Sequence, residues 1–352
     1  MNASVLKGRQ ARPLWLMFAG IALAAALLGA VASGLHLEAW YVVFVLLAGL
    51  TAGSLGLLTI GHMLGEDWLA PIREELEAAS LTGPLLLVLA APLGLELDAV
   101  FPWALGGTAA LPRARALYFG EAFFLWRSLV YLVAWSAVGI WVVRSAAPRR
   151  ASGIGLAILV PTVVFAANDW VMSRDPEWWS SLFGFAFAVS QLLGALAGAI
   201  FLTLLVDPRA HTRRLMSLER ALLTLALLTL WIWFSQFLIV WLANLPPEVG
   251  WYEKRGGERL GLLIYGAAPA LALAVALLMP SGVGRWTMMT GSALLVVCHL
   301  AHTIWLLNPR AAELSAGSLA VAAGGLLLWT AWFVVWIRVR PSFHDEALRE
   351  PR

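Results

Sequence analysis

Long apolar runs, each closed by charges, prolines or glycines, divide the chain into a regular series. Runs over 14–33, 39–60, 81–95, 122–143, 151–168, 178–206, 221–245, 260–279, 286–307 and 318–337 carry few or no charges. A helix rising about 1.5 Å per residue needs roughly 20 apolar residues to cross the hydrocarbon core of a bilayer. The pattern predicts an all-α, polytopic membrane protein of about ten transmembrane helices, forming a single membrane domain over 1–352. A membrane barrel would show strands alternating in polarity, and these runs are apolar on all sides. The third run is the shortest and carries Pro84 and Pro92, which predicts a tilt or kink. Lys7, Arg9 and Arg12 precede the first run, and Ala30-Val31-Ala32 looks like a signal-peptidase site. That run is longer than a signal core and the next follows at once, so it is read as a helix.

Between the second and third runs, residues 65–80 (GEDWLAPIREELEAAS) place Trp68, Leu69, Ile72 and Leu76 at helical spacing. An amphipathic helix on the inner membrane face is expected there. Helices held by anionic lipid are basic; Glu74, Glu75 and Glu77 make this one acidic, so it packs on the protein or meets a partner, or else lies as an ordinary surface helix. Outside the membrane, the apolar loop 98–112 and the Trp- and Pro-containing loops 169–177 and 245–259 are the substantial connections.

Composition narrows the function. The chain is 61% hydrophobic and 13% charged, against roughly a quarter charged in soluble domains, which excludes a cytosolic enzyme and a nucleic-acid binder. Lys and Arg cluster at 7–12, 144–150, 209–220 and 338–352, and the positive-inside rule puts both termini in the cytoplasm. The lone Cys298 excludes an internal disulfide framework and an iron–sulfur cluster ligated by this chain. Many of the tryptophans, among them Trp40, Trp103, Trp170, Trp178, Trp251 and Trp305, fall near run ends and are expected in the interfacial belt. Gly49, Gly53, Gly56, Gly194 and Gly198 predict close helix approach.

Ionisable groups inside a bilayer are costly and face a bundle interior or an aqueous cavity. Arg127, Asp169, Glu121, Gln236, His299 and His302 all fall in the outer half of their runs. One reading is a cavity in the outer leaflet that hydrogen-bonds a quinone headgroup or relays protons. The other is structural: Arg127 pairs with Asp169 or Glu121, and the histidines bond neighbouring carbonyls. His299 and His302 are three residues apart on one helix face, so they cannot bracket a haem. No metal or covalently bound cofactor is expected.

Four segments carry a resemblance: 118–135 (YFGEAFFLWRSLVYLVAW), 169–185 (DWVMSRDPEWWSSLFGF), 234–255 (FSQFLIVWLANLPPEVGWYEKR), and 61–84 leading to Phe101-Pro102-Trp103. In this order they resemble the F-subunit family of alternative complex III, the bacterial quinol:cytochrome c oxidoreductase, whose membrane subunits are related to those of polysulfide reductase. The likeness runs from about Tyr41 to Pro309. It implies two four-helix bundles plus two peripheral helices in the bacterial cytoplasmic (inner) membrane. It also implies a respiratory complex whose haem c and iron–sulfur clusters belong to other subunits, with quinone or quinol nearby. Carried over by position, Arg127, Asp169, Arg174, Asp175, Ser235 and Gln236 are its polar functional positions. Glu74 and Glu75 depart from the family, where basic residues stand. The expectation is a subunit without a redox centre of its own that contributes a quinone site or proton path. A stand-alone proton or solute transporter and an assembly scaffold are the alternatives.

Overall fold

The computed structural model describes residues 3–33, 36–65, 67–105, 113–206, 214–257, 260–307 and 315–347. All regular structure among them is helical. In chain order the helices are α1 (Ala3–Ala32), α2 (Leu37–Leu64), α3 (Arg73–Ser80), α4 (Gly83–Leu95), α5 (Leu97–Val100), α6 (Pro102–Leu105), α7 (Arg113–Tyr118), α8 (Glu121–Arg144), α9 (Pro148–Trp170), α10 (Phe183–Val206), α11 (Arg214–Ala243), α12 (Pro246–Glu253), α13 (Ala268–Leu278), α14 (Arg285–Leu307) and α15 (Ala316–Ala347). Tighter 3₁₀ turns cover Asp67–Ile72 and Met172–Arg174, and a π-helical turn, Leu262–Ala267, leads into α13. Among the described residues seven helices are long and apolar enough to cross a membrane, and a bent pair, Trp68–Ser80 with Gly83–Leu95, makes up to eight. Leu16–Ala32 and Leu262–Leu278 are shorter apolar helices.

The most enclosed helix is α2, 89% of whose apolar window is buried. It packs against α3, α4, α9, α10 and α15. A second group gathers α11, α13 and α14 around α10. α10 joins the groups by packing on both α2 and α9, and glycine makes its contact with α2. A Cβ added at Gly49 would collide with the Gln191 side chain, and one at Gly53 with the Gln191 carbonyl. Gly56 abuts Leu192 and Gly194 abuts His299, whereas Gly198 faces open space. α1 and α15 lie side by side and antiparallel: Phe18 meets Trp332 and Trp336, and Leu28 covers Gly324. Their pairing brings the start of α1 beside the end of α15, so these two helix termini share one face of the bundle.

Residues 65–80 do not form a surface helix. Ile72 and Leu76 are fully buried and Glu77 is 3% exposed, because α3 turns back into the bundle and continues, after a break, as α4. The apparent shortness of the third run has this cause: it is the far half of a broken helix. Pro84 has no N–H for the carbonyl one turn back, so the helix parts at Leu81 and Thr82. Neighbours take up the freed groups, as the absence of water in a bilayer requires. Trp332 Nε1 donates to the Leu81 carbonyl at 3.2 Å. The Thr82 hydroxyl lies 2.7 Å from that of Thr51 and accepts from Trp329 Nε1 at 3.0 Å. On the face shared by the termini, Arg73 donates to His62 Nε2 at 2.8 Å and pairs with Glu77 at 3.2 Å. The other imidazole nitrogen lies 2.8 Å from the Ser152 hydroxyl.

Gly53→Leu is expected to drive α2 off α10 and lower stability by about 1–3 kcal/mol, the usual scale of overpacking. Gly198→Ala, where an added methyl meets nothing within 4 Å, is expected to be neutral. Thermal unfolding of both variants in detergent checks the pair; equal behaviour would remove the glycine contact as the determinant of the join.

Candidate functional site

Asp169 sits in the last turn of α9, and Arg127 lies two turns into α8. The antiparallel register of the two helices, seen where Trp135 donates to Thr162 and Trp170 to Ser128, brings both residues to one level. Arg127 Nε and Nη2 donate to the two carboxylate oxygens of Asp169, each at 3.0 Å, and Nη1 donates to the Tyr118 carbonyl at 2.9 Å. The Tyr131 hydroxyl donates to Asp169 Oδ2 at 2.9 Å. The rings of Tyr118 and Phe123 lie against the guanidinium, at 4.0 and 4.3 Å. Asp169 is fully buried and Arg127 is 11% exposed. Burial, and then the charge of Asp169, hold the Tyr118 phenol above its ordinary range. Glu121, the other acid offered by the sequence, is exposed at the head of α8 and is not the partner. This pair is closed: the bidentate fork engages both carboxylate oxygens, and a proton relay through Asp169 would have to break it.

Gln236, His299 and His302 belong to the second helix group. Gln236 accepts a hydrogen bond from the Ser180 hydroxyl. Trp233 donates to Ser190 at 2.8 Å, and its ring lies 4.7 Å from that of His302, which in turn lies 5.8 Å from Trp305. His299, 4% exposed, rests on Gly194, where a Cβ would come within 2.6 Å of the imidazole. Its Nε2 and the Oε1 of Gln191 are buried without a hydrogen-bond partner among the described residues. The histidines therefore do not bond neighbouring carbonyls as the structural reading expected; they pack on glycine and indole. Among the described residues no hydrogen bond, ion pair or ring contact connects this group to Arg127 or Asp169, so the sequence-derived cluster resolves into two.

Between the two lies a charged layer that the sequence only half announced. Arg174 pairs with Glu38 at 2.8 Å and covers the Tyr41 ring at 4.7 Å. Asp175 pairs with Arg255 at 2.9 Å and Lys254 at 3.3 Å. Arg255 is 2% exposed. It donates to the carbonyls of Leu306 and Trp251, each at 3.1 Å, and its own carbonyl accepts from Trp305 at 3.0 Å. Burial pulls its pKa below the ordinary arginine value, against the opposing charge of Asp175; arginine stays protonated at any working pH. Glu38 and Arg255 were missed as site residues. The available signal was an acid heading an apolar run and an arginine inside a Trp-rich loop, which position alone does not separate from a solvated charge.

The tryptophans make this layer solid. Trp40, Trp103, Trp170, Trp178, Trp251 and Trp305 are all at most 6% exposed, which corrects the belt assignment for them; Trp141 and Trp286, at 42% and 71%, fit it. Trp178 stacks on Trp251 with centroids 4.4 Å apart. Trp251 meets Trp305, and Phe183 bridges Trp178 to Trp233. Tertiary pairing, not the headgroup layer, holds these rings.

Beneath Trp170, a crevice of about 190 Å³ opens between α4 and α8. Tyr41, Phe44, Leu93, Ser128 and Leu132 line it with Trp170. Both hydroxyls are engaged there: Tyr41 donates to the Trp170 carbonyl at 2.9 Å, and Ser128 accepts from Trp170 Nε1 at 3.0 Å. Leu125 and Leu129 at its mouth are 39% and 46% exposed, facing the apolar surroundings. Among the described residues no group of three or more His, Cys, Asp or Glu side chains could hold a metal ion. Comparison with known proteins adds no family: no protein-family model and no curated protein matches the chain.

Removing one member of a buried ion pair strands the other's charge. Arg127→Leu is expected to cost about 3–5 kcal/mol, and adding Asp169→Leu to restore much of it. Thermal unfolding of the single and double variants is the check. A double variant no more stable than the single one would mean the pair is not held in this buried form.

Proposed function

We propose that the chain is a membrane subunit of a respiratory quinol:electron-acceptor oxidoreductase, lacking a redox centre and relying on partner subunits for haem c and iron–sulfur clusters. In this reading ten helices cross the bacterial cytoplasmic membrane, with both termini in the cytoplasm. Two four-helix bundles are joined through α2 and α10, and α1 and α15 form a peripheral pair. The observation that carries the reading is where the resemblance-bearing segments meet. Segment 118–135 joins segment 169–185 through Arg127 and Asp169. The latter joins segment 234–255 through Asp175 with Arg255, Ser180 with Gln236, and Trp178 with Trp251. Trp103 reaches it through Ser173 at 3.3 Å. Residues far apart in the chain are one another's partners, so these strings describe a single interlocked layer.

Quinol association has its place in the crevice between α4 and α8, not among the closed ion pairs. Its walls suit a flat apolar ring and its isoprenoid tail, with the Ser128 hydroxyl as the polar contact. Quinol oxidation releases two protons and two electrons, and the electrons would pass to a centre on a neighbouring subunit.

A second reading, a proton or solute transporter, has one observation in its favour: the unpartnered buried atoms of Gln191 and His299. A proton-selective flux in proteoliposomes of the purified chain, abolished by His299→Phe, would establish it.

The test of the first reading is isolation of the tagged chain from native membranes in mild detergent. Copurification of c-type haem and iron–sulfur proteins with quinol:cytochrome c reductase activity is expected; a chain that travels alone overturns it. Arg127→Leu is expected to reduce the amount of assembled complex without altering turnover per complex. A fall in turnover at constant assembly would give Arg127 a direct part in the chemistry.

A further inference from the structure

On the flank of the molecule, α1 and α15 touch along one side and part along the other. Phe18 packs on Trp332 and Trp336, at 4.6 and 5.0 Å between centroids. On the open side a cleft of about 630 Å³ runs between the helices. Its floor is small: Gly20, Ala24 and Ala331 line it, and a Cβ at Gly20 would meet nothing within 4 Å. The walls are long and apolar, with Met17 47% and Leu327 69% exposed. Thr330 contributes no free donor, since its hydroxyl donates to the Leu326 carbonyl at 2.8 Å. The cleft is thus apolar along its length.

Its end is different. Arg338 closes the cleft on the face shared by the termini; it is exposed, and no acid pairs with it among the described residues. An apolar trough ending in an exposed guanidinium, with which no described acid pairs, complements an anionic lipid: chains along the trough, anion at its mouth. Arginine's planar fork matches a phosphate, and basic pockets between membrane helices on the cytoplasmic side take anionic headgroups. An apolar partner helix lying in the trough would leave Arg338 without a counter-charge, whereas an anionic headgroup supplies one.

We propose that the cleft between α1 and α15 is a binding site for an anionic phospholipid, with its acyl chains on Gly20, Ala24 and Ala331 and its phosphate on Arg338. The site needs only a bilayer around the chain and stands or falls independently of the oxidoreductase reading, whose test reads redox partners and not lipid.

The experiment is native mass spectrometry of the full chain in detergent, supplied with phosphatidylglycerol or phosphatidylcholine. The unaltered protein is expected to retain phosphatidylglycerol in preference. Arg338→Gln should lower that preference roughly fivefold, the scale of one cation at a membrane surface. Gly20→Leu, which fills the floor, should reduce retention of both lipids, while unfolding temperatures confirm that each variant is folded. In a second arm, a photoreactive side chain replacing Ala331 is activated in native membranes and is expected to label phospholipid. Retention unchanged in both variants overturns the site. So does loss with Arg338→Gln alone, which would mean diffuse surface charge, and so does labelling of a protein instead of lipid.

Discussion

The approach of α2 to α10 is the constraint on which the remaining structure depends. A helix of twenty-eight residues with 89% of its apolar window buried must be surrounded on nearly all sides. One side is available only because Gly49 and Gly53 present no side chain to Gln191. Membrane helices gain little from hydrophobic burial against one another and depend on close backbone contact. With α10 seated there, the first group of helices gains the neighbour that also organises the second. The loop between α9 and α10 is then drawn across the end of the join, and that loop carries Arg174 and Asp175.

The charges follow from the same placement. Arg174 and Asp175 are adjacent in the chain and opposite in sign, and they pair in different directions: Arg174 with Glu38 of α2, Asp175 with Arg255 beyond α12. One dipeptide therefore ties the two groups of helices together at the end remote from the termini. Aromatic rings fill the space around it and exclude water, which strengthens the pairs and makes the loss of one partner costly. The residues most conspicuous as intramembrane charges, Arg127 and Asp169, are taken up by one another, and the crevice at α4–α8 and the cleft at α1–α15 lie elsewhere.

Much of the fold was legible along the chain. The apolar runs located the long helices, because an uninterrupted hydrophobic stretch has one stable outcome in a bilayer. The pairing of Arg127 with Asp169 was one of two readings open at the level of sequence, since an arginine in that setting needs an acid. Of the readings open for residues 65–80, packing on the protein holds and the surface helix does not: the glutamates read as a solvated face, while Glu77 is buried and pairs with Arg73 as α3 enters the bundle. The tryptophans misled similarly. Nearness to a run end is shared by belt residues and by rings buried beneath a well-packed loop, and only packing tells Trp178, at 2% exposed, from Trp286, at 71%.

By itself the sequence determined that this is a helical membrane protein, roughly where its helices run and which few polar groups lie within them, because local hydropathy controls partition into lipid residue by residue. Only the tertiary structure decided which polar groups meet. Gln236 and the histidines share a depth with Arg127, but depth is one coordinate. The angle around each helix and the order of helices in the membrane plane place Gln236 with Ser180, and Arg127 with Asp169. Those two coordinates are set by long-range contacts such as Gly53 against Gln191, and no local pattern encodes them.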